Sequence, residues 1–186
     1  MSANYVSRRT VENPLIKDKA TFLETSAETN GARTLIRIEL APDGGNDLHY
    51  HQSFDETFTS IKGRLGIQVG KEIHILEEGQ SMTAKAGQLH RFFNPSKEET
   101  IFFDVTLNPG SEGFETTIYV AYGLATDGLT TRKSVPKNPY HLALLLHWGD
   151  TQMPGLMRWF EPVFRWLARV AIRKGIDREL IARYCQ

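Results

Sequence analysis

From residue 34 to residue 108 the chain is a succession of short stretches in which apolar and polar side chains alternate, most of them closed by a glycine-bearing turn. Strand side chains point to opposite faces in turn, so a period of two marks a half-buried strand. Residues 34–40 set the pattern, with Ile36, Ile38 and Leu40 on one face. Similar segments follow at 48–51, 56–62, 64–69, 72–76, 81–85, 89–94 and 100–108. The last of these places Ile101, Phe103, Val105 and Leu107 together. Asn30-Gly31, Gly63, Gly70-Lys71, Glu77–Gln80 and Gly87 supply the turns. Many short strands at this spacing specify a mainly β domain, an antiparallel sandwich or barrel.

The flanks read differently. Residues 1–19 are polar and loosely held apart from Pro14-Leu15-Ile16, and 20–25 form a short strand. After residue 108 the period lengthens. Residues 113–124 suit a helix with Phe114, Ile118 and Ala121 on one stripe, and 125–138 form a linker. A second helix covers 139–147, with Pro139 at its start. A third covers 154–174, kinked or split by Pro162 and ended by Gly175. Asp177 then caps a short helix over 178–184. The domain reading is a barrel over 1–112, with its core at 34–108. A helical extension over 113–186 packs on the barrel or on a partner subunit.

One tract inside the barrel carries chemistry. His49 and His51 are two apart on an extended segment and share a face; Glu56 opens the next strand, and His90 returns about forty residues later. Three imidazoles and one carboxylate form a ligand set for one divalent transition metal: Fe, Mn, Ni, Cu or Zn. Three buried histidines and a carboxylate are hard to satisfy otherwise, since buried polar groups need partners. Strand parity puts Phe58 and Ser60 on the face of Glu56, and Phe92 and Asn94 on the face of His90, as candidate walls of a substrate pocket. Asp55 points the other way and is read as solvated, and His74 as lying on an outer face.

These residues also carry a resemblance. Gly44/Gly45, His49-x-His51, four residues, Glu56, six residues and Gly63 resemble the first motif of the cupin superfamily. Gly79, five residues, Lys85-x-Gly87, two residues, His90, three residues and Asn94 resemble its second, with Lys85 where the family usually has proline. The match spans roughly residues 34–108. It implies a jelly-roll barrel with a metal ion held by His49, His51, Glu56 and His90 near one mouth. It implies no single reaction, because the fold hosts oxygenases, decarboxylases, isomerases, sugar-binding sensors and storage proteins.

Charge and cysteine content narrow the partners. The 186 residues hold 22 basic and 22 acidic side chains, so no global field favours nucleic acid. Residues 154–186 carry seven Lys and Arg against three Asp and Glu. There Arg158, Arg165, Arg169 and Arg173 line one face, beside a broad apolar face that includes Leu156, Trp159, Phe160 and Trp166. Such a helix packs on the barrel or on a second subunit, giving a homodimer; a membrane-surface role is disfavoured. The single cysteine, Cys185, allows no intramolecular disulfide. With no secretory signal and no apolar run of about eighteen residues, the expected location is cytoplasmic. The functional expectation is a small-molecule metalloenzyme, an oxygenase-like, isomerase or decarboxylase cupin. The alternative is a non-catalytic small-molecule-binding or sensory module.

Overall fold

The computed structural model describes residues 9–186, apart from the side chains of residues 156–158. The readings for residues 1–8 and for the side chains of Leu156 and Arg158 lie outside the described residues. Ten strands run from the start of this range to residue 108: β1 (Thr10–Asn13), β2 (Asp18–Glu24), β3 (Thr34–Leu40), β4 (Tyr50–His51), β5 (Asp55–Lys62), β6 (Leu65–Val69), β7 (Glu72–Leu76), β8 (Ser81–Ala84), β9 (His90–Phe93) and β10 (Ile101–Asn108). A six-stranded sheet has the order β1-β2-β3-β10-β5-β8, and a three-stranded sheet the order β7-β6-β9. All pairings are antiparallel. The expected mainly β jelly-roll is therefore the architecture observed.

Alternation dictates this arrangement. On β3 and β10 the residues assigned to one face, Ile36, Ile38, Leu40, Ile101, Phe103, Val105 and Leu107, are all buried. The two sheets meet through aromatic contacts: the Phe92 ring on β9 lies 5.0 Å from Phe103 on β10 and 6.2 Å from Phe58 on β5. Each such side chain contributes roughly 1.5–3 kcal/mol by leaving water.

The segment just before β2 departs from expectation. It is not loose: β1 pairs with β2 from Thr10↔Thr21 to Asn13↔Asp18. Val11 turns into the core. The Asn13 side chain accepts hydrogen bonds from the Leu15 and Ile16 amides, which closes the hairpin. A four-residue strand holds too little alternation to stand out in sequence.

The extension begins with α1 (Glu112–Thr126), capped by Ser111, whose hydroxyl accepts from the Phe114 amide. It lies against β1, and Tyr119 stacks on Phe22 of β2 at 4.7 Å. Buried Glu115 accepts from the Ser26 amide at 2.6 Å and the Thr34 hydroxyl at 2.5 Å, tying α1 to the barrel. α2 (Pro139–Trp148) starts at proline as expected, with Asn138 as its cap. Gly113 sits where the end of α2 crosses α1: a Cβ there would fall 2.3 Å from the Trp148 carbonyl oxygen.

The helix expected over 154–174, kinked or split by Pro162, is split. A 3-10 segment, Gly155–Phe160, precedes α3 (Glu161–Arg173), and Pro162 occupies the first turn of α3, where its missing N–H costs nothing. The last helix, α4 (Ile176–Tyr184), is capped by left-handed Gly175 at φ 77° rather than by Asp177. Asp177 lies inside the first turn, where a carboxylate favours the helix dipole. Among the described residues no helix is long and apolar enough to cross a membrane.

Candidate metal centre

β4, the opening of β5 and the opening of β9 converge at one mouth of the barrel. His49 precedes β4 and exchanges both backbone hydrogen bonds with His90, at 3.0 and 2.8 Å. His51 ends β4 and Glu56 lies on β5. One donor atom from each of His49, His51, Glu56 and His90 lies within 4.8 Å of all the others. His51, Glu56 and His90 are buried and His49 is partly so.

Backbone carbonyls fix each ring. Nδ1 of His49 faces the Asp47 oxygen at 2.8 Å, Nδ1 of His51 faces Gly149 at 2.9 Å, and Nδ1 of His90 faces Gln88 at 2.8 Å. A carbonyl only accepts, so every Nδ1 carries a proton and every Nε2 is the atom left for the cluster. His51 is held further by Phe54, stacked at 4.6 Å, and by the Phe114 edge at 5.5 Å.

The donor set fits a cation. Burial pushes the His51 imidazole below its ordinary value, and drives that of His49 down to about 4, helped by the neighbouring rings. Both are therefore neutral ligands near pH 7. Burial alone would raise the Glu56 carboxyl. The His90 hydrogen bond and the nearby imidazoles outweigh it, so Glu56 stays ionised. His90 Nε2 lies 2.8 Å from Glu56 Oε2; burial lowers the ring's proton affinity, and this contact more than restores it. His51 Nε2 is buried with no hydrogen-bond partner, 3.7 Å from the same oxygen. A cation among these atoms would satisfy that nitrogen and replace the proton on His90. A zinc-like ion sits about 2.0–2.2 Å from nitrogen and oxygen ligands, so donors this close need only a small contraction.

His49, His51 and Glu56 line a cavity of about 540 Å³ bounded by β2, β3, α1 and the loop at 132–134. Phe92 lines it, as do Phe114, Ile118 and Ala121, the helix stripe read from the sequence. Of the other candidate wall residues, Phe58 lies in the core between the sheets, 6.0 Å from the His90 ring. Ser60 donates to the Gly63 carbonyl. Asn94 donates from Nδ2 to the Leu40, Ala41 and Glu99 carbonyls and accepts the Ser96 amide at Oδ1. None of the three lines the cavity: strand parity gives the face of the sheet but not the depth along the strand.

Asp55 is not free in solvent. It accepts from Lys85 Nζ at 2.8 Å and from the Ala86 amide at 2.9 Å, which fastens the turn before His90. His74 is half-exposed, with Nε2 3.4 Å from Glu72. Burial raises the Cys185 thiol to about 11, so it is no nucleophile.

Sequence reading missed what the extension brings to the site. After α2, β11 (Thr151–Gln152) pairs with β4, with Thr151 opposite His51. The Gly149 carbonyl orients His51, and the Asp150 carboxylate accepts the Gln52 and Ser53 amides at 2.8 and 2.7 Å. A two-residue strand and one carbonyl leave no periodic signal.

The family model described as "Cupin domain" matches residues 36–106, the span from β3 to β10 that holds all four cluster residues. Residues 36–106 are a cupin domain. A search of curated proteins finds no match to the chain. Solved structures are similar to it over part of the chain. KdgF from Halomonas sp. is 10% identical with a TM-score of 0.49, over 60% of this chain and 97% of that one. An RmlC-like cupin from Shewanella frigidimarina is 18% identical with a TM-score of 0.49, over 61% and 96%. A predicted oxalate decarboxylase from Thermotoga maritima is 19% identical with a TM-score of 0.46, over 50% and 80%. These likenesses bring no substrate to this chain.

Proposed function

We propose that this cupin is a small-molecule metalloenzyme that holds one divalent transition metal, iron, manganese, nickel, copper or zinc, on His49, His51, Glu56 and His90. The observation that carries the reading is the orphaned His51 Nε2, buried beside an ionised carboxylate at the wall of a ligand-sized cavity. A bound metal supplies a Lewis-acid centre, and a redox centre if it is iron, manganese, nickel or copper. Glu56 offsets one of its two charges and so favours the oxidised metal, which places oxygenase chemistry ahead of isomerisation or decarboxylation. The three carbonyl-anchored imidazoles hold the donor geometry. Phe92, Phe114 and Ile118 exclude water and orient the apolar body of a ligand. A binding or sensory module is the second reading, supported by the same cavity if no turnover occurs.

One ion per chain is expected by elemental analysis of protein purified without chelator. His51→Ala and His90→Ala should each lower occupancy sharply and lower the melting temperature of the metal-loaded protein, since the ion binds only the folded state. Equal metal content in wild type and both variants would sink the assignment. Oxygen uptake by iron-, nickel- or manganese-loaded protein across small enols, thiols and aromatic acids tests the chemistry. Tight binding without consumption transfers the site to the binding module.

A further inference from the structure

The metal-centre cavity has a second polar group that the cluster does not use. Asp18 opens β2, and its side chain lines the cavity together with Tyr122 of α1. Asp18 is 2% exposed. Its Oδ2 accepts the Tyr122 hydroxyl at 2.6 Å, and its Oδ1 is buried without any hydrogen-bond partner. No cation pairs with it among the described residues. The same cavity lining includes the apolar residues Ala20, Ile36, Ile38, Val105 and Ala121. A carboxyl kept half-satisfied in such surroundings is costly for folding alone. Leucine and phenylalanine would fill the same space without that cost, as with other buried polar groups exchanged for apolar ones.

We propose that Asp18, positioned by Tyr122, is a second binding point of the metal-centre cavity and takes the hydroxyl group of a small hydroxy-carboxylic acid. The proposal rests on the reading that the cavity holds a small organic ligand at the metal. Three features select this class. Arg132 and Lys133 line the same cavity from an exposed loop, and with the metal they favour an anion. The apolar residues of the lining suit a hydrocarbon middle. A hydroxyl both donates and accepts, so it pairs with Oδ1 whether Asp18 is ionised or protonated. That tolerance matters because burial pushes the Asp18 carboxyl up to about 7, against the opposing pull of the Tyr122 hydrogen bond. Tyr122 itself is held protonated by burial and by Asp18, so it remains a donor throughout.

The test is titration calorimetry of nickel-loaded protein with straight-chain ω-hydroxy acids of roughly four to eight carbons, a range sized to the cavity, each against its unsubstituted acid. At one chain length or more, wild type should bind the hydroxy acid about tenfold or more tightly than the plain acid. In the double variant Asp18→Leu with Tyr122→Phe that preference should fall to about one. The plain acid should still bind in a metal-dependent way, and the melting temperature should hold or rise. A double variant that melts lower yet keeps the preference would make the pair structural and overturn the proposal. Metal-dependent binding of plain and hydroxy acids without preference in wild type would overturn it alone, independently of any variant. If no acid binds nickel-loaded protein more tightly than metal-free protein, the proposal falls together with the small-ligand reading on which it rests.

Discussion

Asp18 and Glu56 are both buried carboxyls, and their neighbours drive them in opposite directions. Glu56 has three imidazoles within reach and stays ionised; Asp18 has one phenol and rises from an ordinary 3.8 to about 7. The consequence for stability has a definite sign. Between about pH 4 and 7 the unfolded chain has lost the Asp18 proton while the folded protein retains it, so stability falls as pH rises across that window. Each unit of displacement is worth about 1.4 kcal/mol, which puts the upper limit on the order of 4 kcal/mol. Urea unfolding of wild type should show this decline relative to Asp18→Asn, which cannot titrate; parallel pH profiles would refute it. His49, His51 and Glu56 were legible in the sequence because their spacing follows strand geometry within one local stretch, and His90 because it sits in a second motif with Gly87 and Asn94. The Asp18–Tyr122 contact joins residues 104 positions apart and follows no period, so only the fold reveals it.

Among elements, period-two alternation made β3 and β5 to β10 readable to within a residue or two, even β7, whose Ile73 and Ile75 face solvent. β4 lies inside the strand read at 48–51, but its partner β11, only two residues long, was not readable, and the pair decides where His51 points. Asp150 is the latch between them. It sits at φ 48°, a conformation that Asn and Asp tolerate better than most residues, and its carboxylate holds two amides of the 52–53 turn. Asp150→Ala removes the charged acceptor and the αL tolerance together. It should cost about 2 kcal/mol or more in unfolding experiments and weaken metal binding about tenfold or more, because His51 loses its fixed orientation. Asp150→Asn keeps the backbone preference and one acceptor, so it should fall between wild type and Asp150→Ala. Unchanged metal affinity in Asp150→Ala would show that β11 does not position His51.

At the scale of the whole molecule the extension completes the site and leaves a surface of its own uncovered. α3 packs on α2 and α4 through small residues, with Ala168 and Ala171 buried at 2% and 0% exposure. Close approach along that alanine stripe turns the larger α3 side chains outward, with Trp166 58% exposed and Val163 49%, and the 3-10 segment before α3 adds Trp159 at 82% and Phe160 at 53%. The sequence shows apolar residues around much of this helix and so gives no basis for choosing which side packs inward; the alanines decide it. Exposed aromatic residues this close in sequence are the composition of an association surface. We expect a second copy of the chain to cover it, giving a homodimer whose metal sites remain intact. Sedimentation at high micromolar concentration should show the dimer for wild type and a monomer for Trp159→Glu with Trp166→Glu, with metal content unchanged in both. A wild-type monomer would remove the dimer. If that monomer then pelleted with anionic vesicles while the double variant did not, the aromatic face and the adjoining Arg165 and Arg169 would belong to a membrane-surface helix instead.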